Sequence, residues 1–184
     1  MTAVLGGREW PTSEAAFLAL GETSERVELF DGSLCLTPAP APRHQFASSS
    51  LAGALQPGAD KAALHVLAAV NVRLRPGRIP IPDLVIIESI DFDELVVDAA
   101  AVRLVCEIVS PSNASADKVL KMHYYAAAGI PWYLLVEQET GALHLYRLSG
   151  GQYLEHSVTR PGSELVLTDP VEARIAPESL LPPR

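Results

Sequence analysis

The chain has 184 residues, 48% hydrophobic and 20% charged, which is enough apolar material for one domain with a real core. Its longest apolar runs, such as residues 64–70 and 84–87, fall well short of the ~18 residues a membrane-spanning helix needs, and a net charge of −8 argues against a protein that coats nucleic acid. Cys35 and Cys106 lack CxxC spacing and read as small buried hydrophobes in a reducing compartment, and the opening MTAVLGGREWP lacks the basic and apolar regions of a secretory signal, so a cytoplasmic location is expected.

Thr12 or Ser13 can cap a first helix that runs through SEAAFLALG and stops near Gly21. RVELFDGSLCL reads as a hairpin, because two alternating runs flank Asp31-Gly32, a dipeptide that tolerates the positive φ of a type I′ turn. A second helix is expected from Pro42 or Arg43 to Leu55, ending before Pro57 and Gly58. LHVLAAVNVRL is a strand, RPGRIP a turn, and PDLVIIE another strand, entered through prolines that favour extended backbone. After an acidic loop comes the strand VRLVCEIVS. SPSNASADKVLKMHYYAAAG carries the signals of a helix, with Asn113 or Ser115 as cap and Gly129 with Pro131 as stop. WYLLVEQETGALHLYRL supplies two strands around a turn near Thr140-Gly141, and further short β pieces lead into a proline-rich tail. This order predicts an α/β (α+β) fold, a mixed sheet flanked by helices with extra hairpins, in a single domain over residues 1–184.

Charge is spread unevenly. From Arg43 to Arg78 five basic residues stand against Asp60 alone, and from Asp83 to Glu107 seven acids stand against Arg103. Such asymmetry could steer a polyanion to one side and a cation to the other, although charged stretches are commonly just solvated surface.

In LVCEIVSPS one carboxylate, Glu107, sits inside an apolar strand, where an isolated charge must be paired, bind a metal or be neutralised. Regular alternation puts Arg103, Val105, Glu107 and Val109 on one face and Val102, Leu104, Cys106 and Ile108 on the other. Asp83 opens a neighbouring buried-type strand. Two carboxylates from adjacent strands make the oxygen-rich cradle that Mg²⁺ prefers; alternatively, Glu107 pairs with Arg103 and Asp83 merely starts its strand. On the following helix Asp117, Lys121 and Tyr125 recur every four residues and form one stripe, with Lys118 beside it. That stripe either carries an ammonium towards the carboxylates or is a surface ion pair above a core tyrosine.

ELFDGSL, TPAPAPRHQ, PDLVI, EIVSPS, the D-x-x-x-K-x-x-x-Y run from Asp117 to Tyr125, AAAGIPWYLLV and HLYRL together resemble the bacterial "putative restriction endonuclease" family of the PD-(D/E)XK nuclease superfamily, over about residues 10–155. The resemblance implies a restriction-endonuclease-like core and Mg²⁺- or Mn²⁺-dependent hydrolysis of DNA. Asp83 and Glu107 match the acidic positions, and the Ile108 carbonyl would complete the metal cradle. Val109 stands where the signature expects lysine, so Lys121 is implied in that role, with Lys118 as a substitute. Glu28 resembles a further acidic site residue, and His44 matches a histidine of undefined role. Arg43, Arg73, Arg75 and Arg78 are the candidate phosphate contacts. A homodimer or higher oligomer, using the apolar C-terminal β segments, is expected of an enzyme that cuts both strands. The missing lysine and the negative charge also allow a module that binds nucleic acid or protein without cleaving.

Overall fold

The computed structural model describes residues 12–21, 23, 25–88, 90–109 and 116–183, with residues 116–118 as backbone only. The cap positions expected at Asn113 and Ser115 lie outside them. Helix α1 (Glu14–Leu18) starts where Ser13 Oγ accepts from Ala16 N. Strands β1 (Arg26–Phe30) and β2 (Ser33–Thr37) form the expected hairpin, with φ of 51° at Asp31 and 89° at Gly32. Positive φ at both central residues is the type I′ requirement.

Helix α2 runs from Pro42 to Lys61, past the expected stop at Pro57. Pro57 and Gly53, whose carbonyl loses its donor, are both exposed, so water can serve the freed oxygen. On the opposite side Ala47, Leu51, Leu55 and Ala59 are buried against the sheet and hold the helix in place. The strand expected over 64–74 is instead two: β3 (His65–Ala68) and β4 (Asn71–Arg73), broken at Ala69, which has φ of 54°.

The Arg75–Arg78 turn leads to β5 (Arg78–Ile79), which pairs with β1. Then follow β6 (Leu84–Ile87), β7 (Val96–Asp98) inside the acidic segment, and β8 (Val102–Val109). Helix α3 (Ala116–Ala127) ends at Gly129, with φ of 81°, and the Ile130 N–H closes back on the Tyr125 carbonyl. Strands β9 (Trp132–Glu137), β10 (Leu143–Ser149) and β11 (Gln152–Thr159) complete a six-stranded sheet ordered β11-β10-β9-β8-β6-β3. All its pairings are antiparallel except β8 with β9, which α3 connects.

Helix α2 covers one face of this sheet through Leu84, Ile86, Leu104, Cys106 and Ile108. Tyr125 and Ile130, at the end of α3, cover the other through Val85, Val105, Tyr133 and Leu135. Val102, expected with Leu104 and Cys106, packs with Val105 instead, because the β6–β8 register slips between Ile86 and Ile87. In β12 (Leu165–Leu167) and β13 (Ala173–Ile175), among the segments expected to offer an interface to a second copy, Leu165, Leu167 and Ile175 lie in the chain's own core with α2, while Val166 is exposed. Among the described residues no helix is long and apolar enough to cross a membrane.

Gly58 is set by this packing: a Cβ there would lie 2.3 Å from the Glu172 carbonyl oxygen and 3.2 Å from Val171 Cβ. Gly58→Ala is therefore expected to destabilise by about 1–3 kcal/mol despite alanine's better helix propensity. Gly53→Ala, on the same helix with nothing within 4 Å of the new methyl, should stabilise by up to about 1 kcal/mol. Urea unfolding curves of the two variants check both signs.

Candidate active site

The site begins at a stretch of backbone that lacks donors. In Pro80-Ile81-Pro82-Asp83 the prolines have no N–H, so Ile81 alone offers both donor and acceptor before Asp83. Two side chains from alternate positions of β1 take up those groups. Glu28 Oε1 accepts from Ile81 N at 2.8 Å, and Arg26 Nη2 donates to the Ile81 carbonyl at 2.5 Å. The clamp fixes the approach to Asp83, which is itself buried.

Asp83 Oδ1 accepts from Arg26 Nη1 at 3.1 Å, while Oδ2 accepts from Ile108 N at 2.8 Å and His44 Nε2 at 3.1 Å. Burial alone would raise the Asp83 pKa, but His44, the Ile108 N–H and Arg26 together hold it below the usual aspartate value. Leu84, the first residue of β6, pairs with Cys106, so Asp83 and Glu107 each adjoin that pair. The two carboxylates therefore come from the residue before β6 and from the neighbouring β8, near enough for the Asp83 charge to act on Glu107.

Glu107 is buried, and Tyr125 Oη donates to its Oε1 at 2.6 Å. Its carboxyl is pushed up to about 7: burial is the main cause, and Asp83 and Glu28 add to it against the pull of Lys121 and the Tyr125 hydrogen bond. Burial and the Glu107 charge in turn push the Tyr125 phenol well above its ordinary pKa. One helical turn before Tyr125, Lys121 Nζ donates to Glu28 Oε1 at 2.8 Å. The stripe on α3 thus faces the carboxylates, with its ammonium bonded to Glu28 and its hydroxyl to Glu107. Arg103 pairs with Glu88 on the surface and not with Glu107.

Asp83, Glu107, Lys121, Glu28, Tyr125, His44 and the Ile108 backbone are thus gathered in one place, whereas the side chains of Asp117 and Lys118 lie outside the described residues. The candidate phosphate contacts are dispersed. Arg43 is exposed in the first turn of α2, Arg73 pairs with Glu14 and Asp98, and Arg75 and Arg78 both pair with Asp31. Arg78 also lies 3.5 Å over the Tyr124 ring. The basic surplus read between Arg43 and Arg78 is therefore largely met by acids from other parts of the chain. Arg26 was not among the expected site residues; its alternation with Glu28 on β1, which sets both on one face, was the available signal. Among the described residues no group of three or more His, Cys, Asp or Glu side chains is arranged to hold a metal ion.

Residues 14–178 match the Uma2 family, described as "Putative restriction endonuclease". The crystal structure of "a putative nuclease belonging to DUF820" from Anabaena variabilis ATCC 29413 superposes with a TM-score of 0.74, covering 92% of this chain and 97% of that one at 17% identity. At that identity the likeness establishes a shared fold. No curated protein matches the chain.

The raised Glu107 pKa gives a pH test. The folded chain holds this proton more tightly than the unfolded one, so stability falls as pH rises from 4.5 to about 7. Glu107→Gln is neutral throughout and should flatten that slope. In metal-free buffer its melting temperature is expected to exceed the parent's by roughly a few degrees above neutrality, the gain vanishing near the ordinary glutamate pKa, read by circular dichroism.

Proposed function

Since the chain belongs to the Uma2 family, we propose that it is a divalent-metal-dependent endonuclease that hydrolyses phosphodiester bonds of DNA. The observation that carries this reading is Asp83, just before β6, and Glu107, on the adjacent β8, brought together beside the Leu84–Cys106 pair, with Lys121 on the covering helix close enough to act on Glu107's charge. The donor set suits Mg²⁺ or Mn²⁺. Mg²⁺ keeps several of its waters and takes one or two carboxylates, so Asp83, Glu107 and the Ile108 carbonyl suffice without a third acid. Glu107, whose carboxyl burial pushes up to about 7, is the kind of ligand that a bound cation would return to its charged form.

When bound, the metal neutralises charge on the phosphoryl oxygens and lowers the pKa of its water. The chain's own groups do the rest. The Ile108 N–H and His44 hold Asp83 Oδ2, and the Tyr125 hydroxyl fixes one oxygen of Glu107, so both carboxylates are oriented beforehand. Lys121, kept over the site by Glu28, opposes the negative charge that develops at the phosphoryl group and positions the attacking water. It serves in place of the lysine that Val109 does not supply. Arg43 can meet a phosphate directly, while Arg73, Arg75 and Arg78 do so by sharing or exchanging their carboxylates, which makes binding salt-sensitive.

A binding module that does not cleave is favoured by two observations: valine at 109, and Asp83 oxygens already occupied by Arg26, His44 and Ile108. Nicking of supercoiled plasmid with Mn²⁺ separates the two. The parent should nick and lose activity with EDTA; Asp83→Ala and Glu107→Ala should abolish nicking, and Lys121→Met should slow it by about 10²-fold or more. A parent that does not nick supports the module, and equal cleavage by both alanine variants would overturn the site.

A further inference from the structure

Three acids meet Arg26, Lys121 and His44 at the site. Asp83 has Arg26 and Glu28 has Lys121, while among the described residues the hydrogen bond on Glu107 comes from a neutral hydroxyl. Of the three donors on Asp83, the Ile108 N–H is fixed in the backbone and His44 is fixed on α2, and both are on Oδ2. Among the described residues Oδ1 has Arg26 alone. Arginine keeps its positive charge at any working pH, so this guanidinium is a permanent monovalent cation on the Asp83 oxygen with the fewest donors.

A divalent ion placed between Asp83 and Glu107 leaves the cluster with more positive than negative charge in a buried setting, where like charges repel strongly. The group best able to leave is Arg26. It is 22% exposed against 7% for Asp83, its Nε is buried without a hydrogen-bond partner among the described residues, and its stem is flexible. It also lines a cavity of about 360 Å³ with Phe17, Leu18, Thr23 and Asn71, which gives the guanidinium somewhere to go.

We propose that Arg26 is a resident counter-ion of the metal site: it occupies the Asp83 Oδ1 position in the metal-free chain and is displaced from it when a divalent cation binds. The inference rests on the metal-site reading above and adds to it that the resting site is closed by its own arginine. Metal affinity is thereby set partly by the cost of moving a side chain. Arg26 is in this respect a positioning residue whose two states alternate with the metal.

Calorimetric titration with Mn²⁺ tests this without any substrate. Arg26→Gln removes the competing charge and should bind Mn²⁺ roughly tenfold more tightly than the parent, while Arg26→Lys keeps the charge and should stay near the parent value. Equal or weaker binding by Arg26→Gln overturns the proposal, because an arginine that merely orders Asp83 would leave a worse site when removed. Asp83→Asn should lose binding; if it binds Mn²⁺ like the parent, the carboxylate assignment itself falls. A measurement on the unaltered chain guards against a variant that does not fold. The Arg26 Nη1 resonance, bonded to Asp83 in the metal-free protein, should shift on adding Mg²⁺, and a resonance unchanged at saturating Mg²⁺ would overturn displacement.

Discussion

The clamp on Ile81 is the interaction on which the site depends. A segment flanked by prolines cannot join a β ladder in the usual way, yet it is buried between the hairpin sheet and the six-stranded sheet. Unpaired buried backbone groups are costly, so the Ile81 N–H and carbonyl must be met by something. Glu28 and Arg26 meet them, and in doing so tie β1 to the start of β6. The same two side chains then reach past the clamp to Lys121 and Asp83. Structural support and the candidate site thus share the same side chains, and a change at either residue disturbs both.

The burial of so many charged groups is tolerable because nearly every one is bonded. Asp83 accepts from three donors, and Glu28 from a backbone N–H and an ammonium. Glu107 differs: burial above all, with Asp83 and Glu28 nearby, makes it take up a proton more readily than an ordinary glutamate, against the pull of Lys121 and the Tyr125 hydroxyl. An acid left short of compensation in an otherwise satisfied cluster is the place where an added cation gains most.

Much of the site was legible in the sequence because it follows short-range periodicities. The two-residue period of a strand and the four-residue spacing on a helix are enough to align Lys121 with Tyr125 and to set Glu107 on the face of β8 away from Leu104, Cys106 and Ile108. The Asp31-Gly32 turn and the Gly129 stop were likewise local. What escaped depends on partners far along the chain. Helix α2 continues through Pro57 because Gly58 and Ala59 are packed against distant residues. Ala69 breaks a strand because β3 and β4 are claimed by different sheets. The arginines at 73, 75 and 78 look like a basic stretch until Glu14, Asp31 and Asp98 are brought to them by the fold. Arg26 escaped because its partner is 57 residues away.

The way the last segments close over α2 has a consequence for how the chain acquires its shape. Leu51, Leu55 and Ala59 share a core with Leu165, Leu167, Ile175 and Leu180, so a helix completed early in synthesis is covered on one side only when the final strands arrive. Contacts so widely separated in sequence slow the search for the native state. Until they form, the nascent chain exposes an apolar helix face beside unpaired strand edges, a species prone to self-association that a cell would have to shield.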